Sequence, residues 1–207
     1  MMDGGGGERP RPRIVEATNG DVAAMAATLS AAFMDDPALS WIIPDAAERA
    51  RRFARFFPLI VRSDMAAGSA LRSPGGEVVT LWREPDRVSE TVWETLRELP
   101  AFALALGRRV GRGLKVSNAM EAHYPRGFPY YYLHFAGVAP AFQGQGWGGT
   151  AIRAGLERAA ARGLPVHLET ATRENVTIYE RLGFTVTCEY DVPGGGPHFW
   201  GMLRPAG

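Results

Sequence analysis

Alternation and helical spacing divide the chain into an order of elements. Ile14 to Thr18, IVEAT, alternates and predicts a first strand. Asn19-Gly20-Asp21 offers a helix start, and VAAMAATLSAAF supplies the helix. The segment DDPALSWIIPD breaks that pattern. A second helix is expected from Ala46 to Asp64, interrupted or kinked near Pro58. ALRSPGGEVVTLWRE reads as a hairpin, two short strands around Pro74-Gly75-Gly76. Val88 to Leu106 again has helical spacing, with Val92, Leu96, Leu99 and Ala103 near one face. Gly107 to Pro129 is glycine-rich and helical in part.

The C-terminal half is more regular. Tyr130 to Val138, rich in aromatics, predicts a strand. A glycine-rich loop follows, then a helix from about Gly146 to Arg162 whose buried face holds Ile152, Gly155, Leu156 and Ala159. PVHLET predicts another strand and RENVTIYERL a short helix. Phe184, Val186, Cys188, Tyr190 and Val192 then alternate with Thr185, Thr187, Glu189 and Asp191, the period of a half-buried antiparallel strand. It is joined to HFWGMLR through Pro193 and three glycines. Cys188 falls on the apolar side and reads as core. The order predicts an α/β (α+β) domain over residues 13–207, behind a disordered tail of residues 1–12.

Composition narrows the chemistry. The chain has 207 residues, 46% of them hydrophobic, enough for one ordinary core. The net charge of +1 gives no field that argues for nucleic acid. A single cysteine excludes an internal disulfide and a cysteine metal cage, and the four histidines lack metal-ligand spacing, so no metal is expected. No apolar run approaches the roughly 18 residues of a membrane span, and no secretion signal is visible, so a cytoplasmic protein with no membrane partner is expected.

The sharpest motif is Gln143-Gly144-Gln145-Gly146-Trp147-Gly148-Gly149. Gly144, Gly146 and Gly149 also fit the G-x-G-x-x-G spacing of a dinucleotide fold, with Glu169 about 20 residues on, where that fingerprint wants an acid. Such a fold needs several parallel strand–helix units after the motif, and only one remains here before an antiparallel hairpin. The other reading is a pyrophosphate held by loop amides and a helix N-terminus without that sheet.

The second reading resembles the GNAT acetyltransferases. Their signature, Gln/Arg-x-x-Gly-x-Gly/Ala, matches Gln143 to Gly148. The GVAP entry, the LET strand and NVTIYERLGF followed by a hairpin fall in that family's order, so the resemblance covers Tyr130 to the C-terminus. AAFMDDPA, HLETATRENVTIYERLGFTVT and MLRPAG are similar to segments of its puromycin-type branch. The resemblance implies the GNAT fold: a mixed, mostly antiparallel sheet, splayed at the cofactor strand, with helices on both faces. It implies acetyl-CoA as donor and a small-molecule amine as acceptor, an aminonucleoside antibiotic among the candidates, in a monomer or homodimer.

The resemblance also places the site. The pantetheine arm pairs along Ala136, Gly137 and Val138, as an added strand would, and the Val138 amide becomes the oxyanion donor. Gly137 interrupts ordinary strand packing, which fits that use. Gln143, Gly144, Gln145, Gly146, Trp147 and Gly148 hold the pyrophosphate. Asn175 bonds the pantetheine arm. Tyr179 is the general acid, because a phenol near its ordinary pKa of about 10 can protonate a thiolate of similar basicity. Gly183 suits a helix end from which Phe184 packs back on Tyr179. Two residues compete as base. His134 lies on the face of Tyr132, and an ordinary imidazole titrates near about 6.5. Glu169 ends the neighbouring strand and could act through water. Phe33, Trp41, Trp93 and Tyr132, with Tyr124, are placed as walls of an aromatic acceptor pocket. Two other functions stay open beside small-amine acetylation: a protein or peptide N-acetyltransferase, and a non-catalytic acetyl-CoA-binding sensor.

Overall fold

The computed structural model describes residues 12–88 and 100–207. The expected tail therefore lies almost wholly outside the described residues, as does most of the helix expected over Val88 to Leu106. Within its described part, residues 100–106 are helical.

Among the described residues, seven strands form one sheet: β1 Val15–Glu16, β2 Gly68–Arg72, β3 Val78–Arg83, β4 Tyr131–Val138, β5 Val166–Thr170, β6 Thr185–Asp191 and β7 His198–Arg204. Their spatial order is β1-β2-β3-β4-β5-β7-β6. Every neighbouring pair is antiparallel except β4 and β5. The sheet is thus mixed and mostly antiparallel, as expected. Besides the helical residues 100–106, the helices described around it are α1 Val22–Ala32, α2 Pro37–Ile42, α3 Ala46–Ala67, α4 Val110–His123, α5 Trp147–Ala161 and α6 Arg173–Glu180.

The two faces carry separate apolar layers. Val79 and Leu81 of β3 join Met25 and Leu29 of α1 and Phe53, Phe57 and Val61 of α3. Trp82 and Leu133 join Ile152, Leu156 and Ala159 of α5 on the other face. All of β3 is buried, which is why VVTLWR reads as a nearly continuous apolar run.

Local chemistry sets the helix ends. Asp36 and Asp45 cap α2 and α3, accepting from the Leu39 and Glu48 amides at 2.9 and 2.6 Å. Pro37 opens α2, where its missing N–H costs nothing. The segment expected only as a break therefore holds a helix. Conversely, α3 is not interrupted at Pro58 and runs on to Ala67. The Ala54 carbonyl, which position 58 would have served, sits on an exposed residue where water can take the bond.

Gly155 shows how closely α5 lies on the sheet. A Cβ there would fall 2.0 Å from Cζ2 of Trp82. Gly155→Ala should therefore lower stability by about 1–3 kcal/mol, although Ala favours a helix by about 1 kcal/mol. Urea denaturation measures this, and an unchanged midpoint would mean that the Trp82 ring has room to move.

Two departures from regular pairing create the site. First, β4 meets β5 only from Tyr131 to Leu133, opposite Val166 to Leu168. Beyond that point β4 keeps β3 as a neighbour through Val138, and Glu169 and Thr170 keep only β7. The two parallel strands splay, and the wedge opens at their C-terminal ends, ahead of α5 and α6. Second, the register with β3 jumps: Leu81 opposes Phe135 and Trp82 opposes Leu133, which leaves His134 without a cross-strand partner. Such a bulge turns neighbouring side chains to one side. His134 reaches Asp64 of α3, while Phe135 reaches Phe57 of α3 and the nearby Phe33.

Gly137 has a different cause from the one expected. A Cβ there would come 2.8 Å from Leu29 and 3.1 Å from Ala32. The glycine lets α1 lie close on β4, so it serves ordinary packing at its own side-chain face.

Candidate active site

One wall of the wedge is the glycine loop. Gly144 and Gly146 have φ of 71° and 84°, the left-handed region where side chains are strained. A Cβ on either would meet nothing within 4 Å, so the space in front of the loop is open. Gly146 is the N-cap of α5. The bond from the Thr150 amide to the Gly146 carbonyl, at 3.1 Å, opens the helical ladder, so the amides before it belong to the unpaired set of a helix start. Gln143 donates to the Val138 carbonyl at 3.1 Å and Gln145 to the Ala141 carbonyl at 3.0 Å, and these bonds brace the loop. Trp147 packs edge-on against Phe142. At Gly148 a Cβ would sit 3.3 Å from Val138, so this glycine admits the first turn of α5 against β4. The arrangement offers amides and a helix dipole to an anion.

The opposite wall is α6. Asn175 reaches Thr170 Oγ1 at 3.4 Å. The helix ends as its sequence suggests. Gly183, at φ 88°, donates to the Glu180 carbonyl, and Phe184 donates to the Tyr179 carbonyl at 3.1 Å. These are the two bonds of a Schellman ending, completed by the edge-to-face contact of Tyr179 with Phe184 at 5.9 Å. Burial, and after it the nearby Asp36 carboxylate, pushes the Tyr179 phenol up to about 12. That departs from the ordinary value of 10.0 expected from the sequence: the hydroxyl is protonated at neutral pH and is a weaker acid than an exposed phenol.

A cavity of about 380 Å3 lies between β4, α6 and α4; Gly137, Val138 and the loop residues Gln143, Gly144, Gln145, Gly146, Trp147 and Gly148 are not among its walls. Tyr179, Asn175, Ala136, His134, Tyr132 and Glu169 all line it. Phe33 and Tyr124 also line it, and α4 supplies a wall through Val110, Leu114 and Ser117.

His134 and Glu169 are held very differently. His134 places Nδ1 2.8 Å from Oδ2 and 3.0 Å from Oδ1 of Asp64, and Arg83 donates from Nε to Oδ1 at 2.6 Å. Burial works to raise the Asp64 carboxyl, but His134 and Arg83 outweigh it and hold it below the ordinary carboxylate range. Glu169 receives the Tyr132 hydroxyl on one oxygen and the Tyr190 hydroxyl on the other, both at 2.8 Å, and its side chain is fully buried. Burial first, and then the Glu169 charge, push both tyrosines well above their usual range. The Tyr132 ring stacks between His134 and His167, with centroids 5.3 and 5.7 Å away.

The expected site residues do not all converge. Trp41 is not among the cavity walls. It lies under the Arg112 guanidinium at 5.1 Å, and its carbonyl accepts from the same side chain at 2.7 Å. Trp93 lies outside the described residues. Asp64, Arg83 and Tyr190 were not singled out from the sequence. Asp64 left one signal: it continues the buried stripe Phe53, Phe57, Ile60, Val61, where a charge needs a partner. Among the described residues no group of three or more His, Cys, Asp or Glu could hold a metal, and no helix is long and apolar enough to cross a membrane.

The fold agrees with the comparisons. The model of the Acetyltransferase (GNAT) family matches residues 93–184. The histone acetyltransferase HPA2 and related acetyltransferase of Corynebacterium glutamicum is similar in structure over 95% of this chain and 97% of its own, with a TM-score of 0.71 and 24% identity. Arylalkylamine N-acetyltransferase 2 of Aedes aegypti is similar over 94% of this chain and 99% of its own, with a TM-score of 0.56 and 14% identity. At these identities the likeness is one of fold.

Proposed function

We propose that this N-acetyltransferase of GNAT fold moves the acetyl group of acetyl-CoA onto the primary amine of a small molecule, by direct attack in a ternary complex. The observation that carries the proposal is a cavity lined together by Ala136 of the splayed strand, the half-buried Tyr179, the His134 imidazole and the aromatic rings of Phe33, Tyr124 and Tyr132. Acetyl-CoA supplies the activated acyl group. The residues that would hold it are the amides from Gly144 to Gly148 for the pyrophosphate and the Ala136–Val138 edge and Asn175 for the pantetheine arm. The Val138 amide is the donor for the developing oxyanion.

Tyr179 gives its Oη proton to the departing thiolate. His134 takes the proton of the attacking amine. Glu169 is the weaker base, because both its oxygens already accept tyrosine hydroxyls. It orders Tyr132 instead. A cavity of about 380 Å3 suits a small acceptor better than the open groove that a protein substrate needs. The puromycin-type segments suggest an aminonucleoside as one such acceptor. A placed phenol favours turnover over mere sensing of acetyl-CoA.

Binding is tested first by thermal unfolding. Acetyl-CoA at about a hundredfold excess over its Kd should add about 2.7 kcal/mol, or roughly 5–10 °C in Tm for a chain of this size. NAD should add nothing. Stabilisation by NAD as large as that by acetyl-CoA would overturn the acetyl-CoA reading and return the loop to the dinucleotide one.

A further inference from the structure

We propose that Asp64 is the positioning residue of the base: it fixes the His134 proton on Nδ1 and leaves Nε2 as the acceptor that faces the cavity. The kinetic consequence rests on the acetyl-transfer reading, while the geometry does not.

Asp64 is fully buried at the end of α3, beneath the sheet. A carboxylate held below its ordinary range and sharing one oxygen with an arginine is an acceptor only. Both its oxygens lie within hydrogen-bond reach of His134 Nδ1, so Nδ1 must donate. In neutral His134 the lone pair is then on Nε2, at the ring edge turned away from Asp64. Nε2 has no protein partner among the described residues, and the ring lines the cavity.

A purely structural Asp64 would need nothing beyond Arg83. The chain instead breaks the β3–β4 register at His134, giving up one cross-strand pair to bring an imidazole onto a buried carboxylate. The charged and titratable groups around the ring are Asp64 from α3, Arg83 from β3, Tyr132 from β4 and, beyond the Tyr132 ring, Glu169 from β5. When Nε2 gains the amine proton, the ring becomes an imidazolium, and Asp64 faces that charge through the bond it already makes. It orients the ring and stabilises the imidazolium without taking the proton itself.

The test begins on the unaltered protein. With histidine labelled by 15N, imidazole nitrogen–proton correlations of His134 in the neutral form should show Nδ1 protonated and Nε2 bare. A proton on Nε2 would overturn the proposal whatever the activity. Asp64→Asn is the second arm. An amide that donates its own N–H to Nδ1 favours the opposite tautomer. Turnover should fall about 10–100-fold with KM for acetyl-CoA unchanged, and Asp64→Glu should recover part of the loss. Thermal unfolding is followed alongside, because the same change weakens the pairing of Arg83. A folded Asp64→Asn protein that turns over at the wild-type rate would also overturn the proposal. If Asp64→Asn does not fold, the tautomer in the wild-type protein decides. If no amine is acetylated, the acetyl-transfer reading fails and the tautomer result still stands.

Discussion

Tyr179→Phe should lower turnover by about 10²–10⁴, the usual worth of a positioned acid, with the affinity for acetyl-CoA nearly unchanged. The substitution is mild for the fold. Phe keeps the ring that packs edge-on against Phe184, and the Schellman ending that sets its position is made by backbone atoms and Gly183. Only the hydroxyl goes, and with it the proton that burial and Asp36 keep in place. The loss should appear in single-turnover rates, where product release cannot hide it. A Phe enzyme as fast as wild type in the chemical step would make Tyr179 a packing residue.

Gly146→Asp should weaken acetyl-CoA binding roughly ten- to a hundredfold, about 1–3 kcal/mol from one negative charge facing the pyrophosphate. A side chain at this position enters open space, so it meets no protein atom that must move. The φ of 84° does strain any residue but glycine. Gly146→Asn separates the two effects, because it carries the same strain and size without the charge. Calorimetric titration of both variants should show Asn binding much closer to wild type than Asp. Equal affinities for Asp and wild type would make the loop a plain turn.

The parts of this protein that could be read from its sequence are those fixed by neighbours along the chain. The strand Tyr131–Val138 announces itself by its run of aromatics, buried on both faces at its start, and the helix Trp147–Ala161 and the first strand of the C-terminal hairpin by their period. Gly183 and Phe184 were legible because a helix ending is a local motif. The six residues of α2 are too few for a period, and only the Asp36-Pro37 cap marks them. The oxygen that holds His134 comes from a residue 70 positions away, across a bulge that no alternation shows. Side-chain type alone puts Trp41 in the pocket, and its Arg112 partner is 71 positions distant. Gly137 stands out in the strand, and the close neighbour it admits is α1, a helix far from it along the chain. Distant contacts of this kind decide which face an aromatic or a glycine serves.

The central claim is that acetyl passes from acetyl-CoA to a small primary amine in the cavity between Tyr179 and His134. The most direct measurement incubates the protein with acetyl-CoA and a panel of primary amines, aminonucleosides, arylalkylamines and an N-terminal peptide among them, and follows free thiol together with product mass. The account predicts thiol release in step with a small amine gaining one acetyl group, and loss of both signals in the Tyr179→Phe protein. Acetylation of the peptide with every small amine left unmodified, or binding of acetyl-CoA with no thiol released by any acceptor, would contradict it.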